Sequence, residues 1–318
     1  MEFEDHPEFQ AALRARAAPR RFPGLAVFRI LFVPLLILGV GGALLWRPVV
    51  ALVLPVSIAV IWLMEQLYPA RPEWNPRPFS QGAGGLKPLG RDAVYLFGVT
   101  ALTTFVLRIS DLQMKPLLAG AHLPVLWPSA LPLALKAVLA FLLVELASYG
   151  VHRAAHRIPL LWQFHSTHHG VTELNALKAL RTHPVDNLVF HVCRVAPLWV
   201  LGAGLEELVV ALSFGGVLGV LAHANLDVSD RWLGAFFNLP RAHAAHHSLR
   251  FKESNSNFGC HTVVWDRVFR THRAEAVGVV VLGMNPSTPR SLWQELAWPF
   301  YRSVTPRESS PFESSKGA

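Results

Sequence analysis

Four long apolar runs leave this chain little choice of surroundings. Leu31–Trp46, Val49–Leu63, Ala93–Leu107 and Leu131–Gly150 contain only Lys136 and Glu145 as charged residues, and a helix needs about twenty apolar residues to cross the hydrocarbon of a bilayer. The first two runs are slightly short, so Phe22–Ile30 and Met64–Tyr68 must extend them into a tight hairpin around Arg47-Pro48. With 52% hydrophobic and 16% charged residues over 318 positions, the chain is too apolar for a soluble domain of this size. The expected fold class is all-α: an integral membrane helical bundle of about four transmembrane helices.

Two further runs, Leu188–Gly202 and Leu205–Leu221, are joined by a very short link. The first contains His191 and Arg194, and an arginine in mid-membrane is costly, so a shallow or re-entrant hairpin is expected here. Basic residues set the orientation. Arg14, Arg16, Arg20 and Arg21 precede the first run, and Arg71, Arg77, Lys87 and Arg91 follow the first hairpin, against Arg47, Arg108 and Lys115 on the other side. By the positive-inside rule the N-terminus is cytoplasmic, and an even number of crossings returns the chain to that side near His152. The start lacks the short apolar core and cleavage site of a signal peptide, so the first apolar segment is expected to be retained. The expected organisation is a leader (1–24), transmembrane helices (25–151), a cytoplasmic helical cap (152–302) and a disordered tail (303–318). A net charge of +8 suits an anionic lipid surface; no soluble basic domain is present to grip nucleic acid. Cys193 and Cys260 lie far apart, which fits neither a disulfide framework nor a structural zinc site, and Cys193 reads as a buried apolar residue.

Histidines carry the chemistry. His152 and His156 are four apart, and His165, His168 and His169 show offsets of three and four. His243, His246 and His247 repeat that triplet. On helices each set shares one face, within reach of one metal ion. One His-x-x-x-His alone is a common solvated or capping arrangement; three such groups exceed the four ligands of a tetrahedral zinc and call for two ions. Imidazole suits zinc, copper, iron and nickel alike. His-Glu-x-x-His and the paired Glu-x-x-His of carboxylate di-iron bundles are both missing. An all-imidazole iron pair at a membrane surface has the clearest chemical purpose, activating dioxygen against an unreactive lipid C–H bond.

The stretch from Glu145 to His272 resembles the fatty acid hydroxylase / sterol desaturase superfamily of integral-membrane, histidine-rich di-iron enzymes. The residues that carry the resemblance are "ELASYGVHRAAHRIPLLWQFHSTHHG", "NALKALRTHP", "HAN", "PRAHAAHHS" and "NSNFGCHTVVWDRVFRTH", with "WLMEQLYPARPEWN" upstream. It implies that His152, His156, His165, His168, His169, His243, His246 and His247 bind two iron ions, with zinc as a substitute in purified protein, and that His223 is a ninth ligand. Asn225 would hold a metal-bound water, and a tenth position would fall to water, His183 or Asp227. Arg181, His183, Asn257 and Asp266 match family positions behind the ligands. Glu145, Asp186, Asp227 and Asp266 are the carboxylates near enough to fix imidazole tautomers. His6, His122, His191, His261 and His272 lack chelating partners.

The implied activity is hydroxylation of a lipid taken from the bilayer. No nucleotide or flavin fingerprint is present, so a separate ferredoxin, cytochrome b5-like protein or reductase must supply electrons, docking on Arg241, Arg250, Lys252 and Arg267. A desaturase on the same site, a non-enzymatic metal-binding protein and a bis-histidine haem carrier are the alternatives. The expected location is the bacterial inner membrane, with the active site cytoplasmic.

Overall fold

A computed structural model describes residues 24–75, 83–120, 126–273, 281–284 and 291–301. The leader 1–23 and the tail 303–318 lie outside the described residues. The described residues are mostly helical and contain no strand, only isolated bridges such as Pro69 with Leu226. In chain order the helices are α1 (Leu25–Leu44), α2 (Val50–Leu67), α3 (Ala83–Gly120), α4 (Leu133–Ala155), α5 (Pro159–His169), α6 (Pro184–Leu201), α7 (Leu205–His223), α8 (Pro240–His246), α9 (Phe251–Ser254), α10 (Val264–Val268) and α11 (Leu292–Tyr301).

By length and composition, α1, α2, α4 and α7 are long and apolar enough to cross a membrane. Their outward residues are large and apolar: Leu35, Leu38, Leu52, Val56, Leu135 and Val138 are all more than half exposed. In water such a surface would cost about 25 cal/mol for every Å², so it is a surface for lipid. Two expectations change. Ala93–Leu107 is no separate helix of its own length but part of the 38-residue α3. The second arm of the expected shallow hairpin is α7, a 19-residue helix that qualifies as a full crossing. Its partner α6, the arm with the arginine, packs along α4.

The ends of the helices place the cap. Arg29, near the start of α1, pairs with Asp227 at 3.2 Å, and its carbonyl accepts from the Ser229 amide at 2.7 Å. Past the end of α2, the Ala70 amide donates to the Asn225 carbonyl at 3.0 Å. The N-terminus of α1 and the C-termini of α2, α4 and α7 therefore meet at one end. At the other, Lys136 pairs with Glu207 at 2.6 Å and the Trp127 amide donates to the Leu201 carbonyl at 2.8 Å. Short helices close the first end; proline starts two of them, at Pro159 and Pro240, and also starts the longer α6 at Pro184, where its fixed φ and missing N–H cost nothing.

Candidate metal centre

All nine imidazoles named from the sequence gather at this one end, in two buried groups. One contains His152, His156, His165, His169 and His246; the other contains His168, His223, His243 and His247. Within each, the ligand atoms lie within 4.8 Å of one another. The triplets are not the units expected. His165 and His169 join the first group while His168 joins the second, and His243 and His247 join the second while His246 joins the first. Residues four apart differ by about 40° in azimuth, whereas the residue three along is turned the other way, by about 60° from the first and about 100° from the second. Each triplet thus spans both groups.

Ring orientation follows from the second nitrogen. Nδ1 of His152 faces the Phe258 carbonyl at 2.7 Å and that of His246 faces Ser256 at 2.6 Å. Nδ1 of His168 faces the Arg181 carbonyl at 3.3 Å and that of His223 faces Gly219 at 2.8 Å. A carbonyl only accepts, so these four rings carry their proton on Nδ1 and present a bare Nε2 inward. Nε2 of His152 then lies 3.0 Å from that of His246, and Nε2 of His168 lies 3.1 Å from that of His223. Lone pairs facing at that distance repel. A cation between them removes the repulsion, and two nitrogens about 2.1 Å from one ion at a right angle are about 3.0 Å apart. His165 adds a carboxylate, with Nδ1 3.1 Å from Asp186 Oδ2, and its buried Nε2 has no other partner. His243 differs, its Nδ1 facing the Asn238 amide nitrogen at 3.2 Å. The donor set fits metal ions.

Burial keeps the rings neutral. It lowers His156, His168, His169, His243 and His247 well below an ordinary imidazole, neighbouring rings adding to the effect, and brings His246 to about 3. Neutral imidazole is the form that binds metal.

The supporting residues divide. Asp266 accepts from the amides of Phe258 and Gly259 at 2.8 and 2.7 Å, holding the loop whose carbonyl orients His152. Gly259 has no alternative residue: a Cβ there would stand 1.8 Å from the Thr262 carbonyl oxygen. Asn257 is in the left-handed region (φ 53°) and ties Ala242 to Arg273, a turn role. Arg181 reaches His168 through its carbonyl, while its guanidinium pairs with Glu295.

Asn225 gives both amide hydrogens to the Arg71 carbonyl and the Asn75 side chain and accepts from the Arg71 amide, so its side chain is held on the segment after α2. Other expectations are corrected. His183 caps α6, accepting from the Val185 amide, and its Nε2 meets the Leu296 carbonyl, so it joins neither group. Asp227 is taken by Arg29. Glu145 binds His261 and the Thr262 amide. Cys193 is exposed beside Val192 on the outer, lipid side of α6, not buried. Glu65 lies in the upstream segment "WLMEQLYPARPEWN" that shares the resemblance, without a role assigned to it, and Glu295 carries no signal of its own in the sequence. Buried Glu65 accepts from the amides of Ala176 and Asn225 at 2.7 and 2.6 Å. Buried Glu295 on α11 also accepts from Tyr95 and Arg91.

A fatty acid hydroxylase family model matches residues 137–271, which hold every ring of both groups. An ornithine lipid hydroxylase, OlsE of Rhizobium tropici, is 30% identical over 87% of this chain and 85% of its own length. The chain belongs to the fatty acid hydroxylase family. Human alkylglycerol monooxygenase is 27% identical over 44% of the chain, a match that spans 31% of that longer protein. A fatty acid hydroxylase, vlmA of Lecanicillium, is 25% identical over 41% of the chain. No solved structure matches significantly. As a member of this family the chain is an oxidoreductase, a membrane-bound lipid hydroxylase whose buried histidines are suited to metal.

Proposed function

We propose that this chain is a di-iron mono-oxygenase that uses dioxygen and two externally supplied electrons to hydroxylate a C–H bond of a membrane lipid. The observation that carries the reading is the pair of adjacent imidazole groups with bare nitrogens facing inward at 3.0 and 3.1 Å. Right-angle spacing and a group of five suit an ion of five or six ligands better than tetrahedral zinc. When bound, the iron pair supplies the oxidising power of reduced dioxygen.

The chain's own part is to hold and aim. His152, His156, His165, His169 and His246 would hold one ion, and His168, His223, His243 and His247 the other. The carbonyls of Phe258, Ser256, Arg181 and Gly219 fix ring tautomers, and Asp186 makes His165 a stronger donor. Burial of all nine rings excludes bulk water from the reacting groups. The substrate is a lipid entering from the bilayer, a class supported by relatives named for an ornithine lipid and for alkylglycerols. Electrons come from a separate ferredoxin, cytochrome b5-like protein or reductase. The leader joins α1 at the metal end, which supports a cytoplasmic centre in a bacterial inner membrane.

The test is lipid mass spectrometry of cells expressing the wild type or His168→Ala. A lipid that gains one oxygen only with the wild type is the expected result, and loss of two hydrogens instead would make the enzyme a desaturase. Identical lipid profiles would overturn the assignment.

A further inference from the structure

Helix α6 carries two polar residues in an apolar setting that the metal centre does not use. Leu188, Val192 and Val200 on its outer face are exposed, as lipid-facing residues are. On the other side Nδ1 of His191 accepts from the Arg194 guanidinium at 3.1 Å. His191 is 1% exposed and its Nε2 has no partner; Nε of half-buried Arg194 is likewise enclosed and unpaired. No carboxylate stands at salt-bridge distance from Arg194 among the described residues. Glu145, the carboxylate whose field reaches it, is committed to His261 and Thr262. A cation and an N–H donor enclosed among apolar residues without an anion lack their natural complement.

The pair sits beside the metal groups. Phe190, one helical turn before Arg194, stacks on His165 (ring centroids 5.3 Å, 13° between planes) and lies edge-on to His152 at 5.7 Å. One turn is about 5.4 Å of helix, which sets Arg194 one turn from the ring that packs on the five-histidine group.

Resting on the hydroxylase reading above, we propose that Arg194 and His191 form the acid-binding subsite of the substrate pocket. It takes a carboxylate or phosphate carried by the lipid, the guanidinium giving charge-assisted hydrogen bonds and His191 Nε2–H a further donor. The oxidised carbon then lies close to the acidic group and not at the far end of an acyl chain.

Thermal unfolding of the full-length, metal-loaded protein in detergent tests this with three probes: palmitate, methyl palmitate and dipalmitoyl phosphatidic acid. Palmitate or phosphatidic acid is expected to raise Tm, the one that does so naming the carboxylate or phosphate source, and the uncharged ester is not. Arg194→Met should weaken acid binding at least tenfold and leave metal content unchanged. Arg194→Lys and His191→Gln should fall between, which guards against a misfolded Met variant. A merely structural arginine would not move the ratio of acid to ester affinity. Equal shifts with acid and ester, no shift with either acid, or acid binding retained in Arg194→Met would overturn the proposal. Binding needs no turnover, so a chain that binds acid but oxidises nothing would sink the hydroxylase reading alone.

Discussion

The two imidazole groups share the triplets of α5 and α8, while α4 supplies only the first and α7 only the second, and they are braced differently. In the five-membered group, the second nitrogens of three rings meet two loop carbonyls, Phe258 and Ser256, and one carboxylate, Asp186. In the four-membered group they meet carbonyls of the helical frame, Gly219 within α7 and Arg181 beside α6, and the Asn238 amide, with no carboxylate. One site has a carboxylate behind it; the other is braced by neutral groups alone, one of them, Gly219, inside a membrane-length helix. Variants confined to one bracing should therefore separate the two.

Acid should erase the contrast, because burial acts on both groups. Rings buried neutral, His246 at about 3, protonate in the unfolded chain near 6.5 and resist protonation in the folded one. The unfolded state then binds more protons below 6.5, so stability is full above that pH and falls as pH drops toward 3. Metal release and a falling Tm across that window, followed by metal analysis and calorimetry, are expected together; a flat Tm between pH 6.5 and 4 would show that the rings are not buried neutral.

Removing single ligands separates the sites. His246→Ala should empty the five-membered group and His243→Ala the other, each lowering metal content by about half, with affinity at the altered site down by about 100-fold or more. Loss of both ions from either variant, measured by elemental analysis, would mean one merged site. Gly259→Ala should act next most strongly, chiefly on the loop-braced group, with a smaller effect on the other because the Gly259 carbonyl accepts from the Asn238 amide that faces His243. Its Cβ would press on the Thr262 carbonyl, at a cost of about 2 kcal/mol or more, with a lower Tm and weakened metal at the His152 side. Asp186→Asn keeps the shape and removes the charge behind His165; about 10-fold weaker metal binding at the five-membered group is expected, with the other unchanged. Equal weakening at both would refute the asymmetry.

What the sequence disclosed and what it hid have separate physical causes. Spacing announced eight of the nine imidazoles and the resemblance added His223, while apolar runs announced α1, α2 and α4 as spans, because spacing and hydropathy are local signals. How each triplet divides was hidden: offsets of three and four look like one face until two ions lie on either side of the helix. Backbone carbonyls such as Phe258 and Gly219 have no residue identity to read. Glu65 and Glu295 look like ordinary carboxylates in the sequence, and their roles rest on contacts more than 100 positions away. The structural work of Asn225 was hidden too, because its amide stitches the end of α7 to the segment after α2, more than 100 positions away.

The central claim is that nine imidazoles hold two irons in two separate sites. Anaerobic reconstitution of the full-length protein with 57Fe, read by Mössbauer spectroscopy with iron quantified per chain, tests it directly. The expected result is two irons per chain in two resolved high-spin ferrous environments, one of which disappears in His246→Ala. A single iron per chain, or binding left intact in both His246→Ala and His243→Ala, would contradict the account.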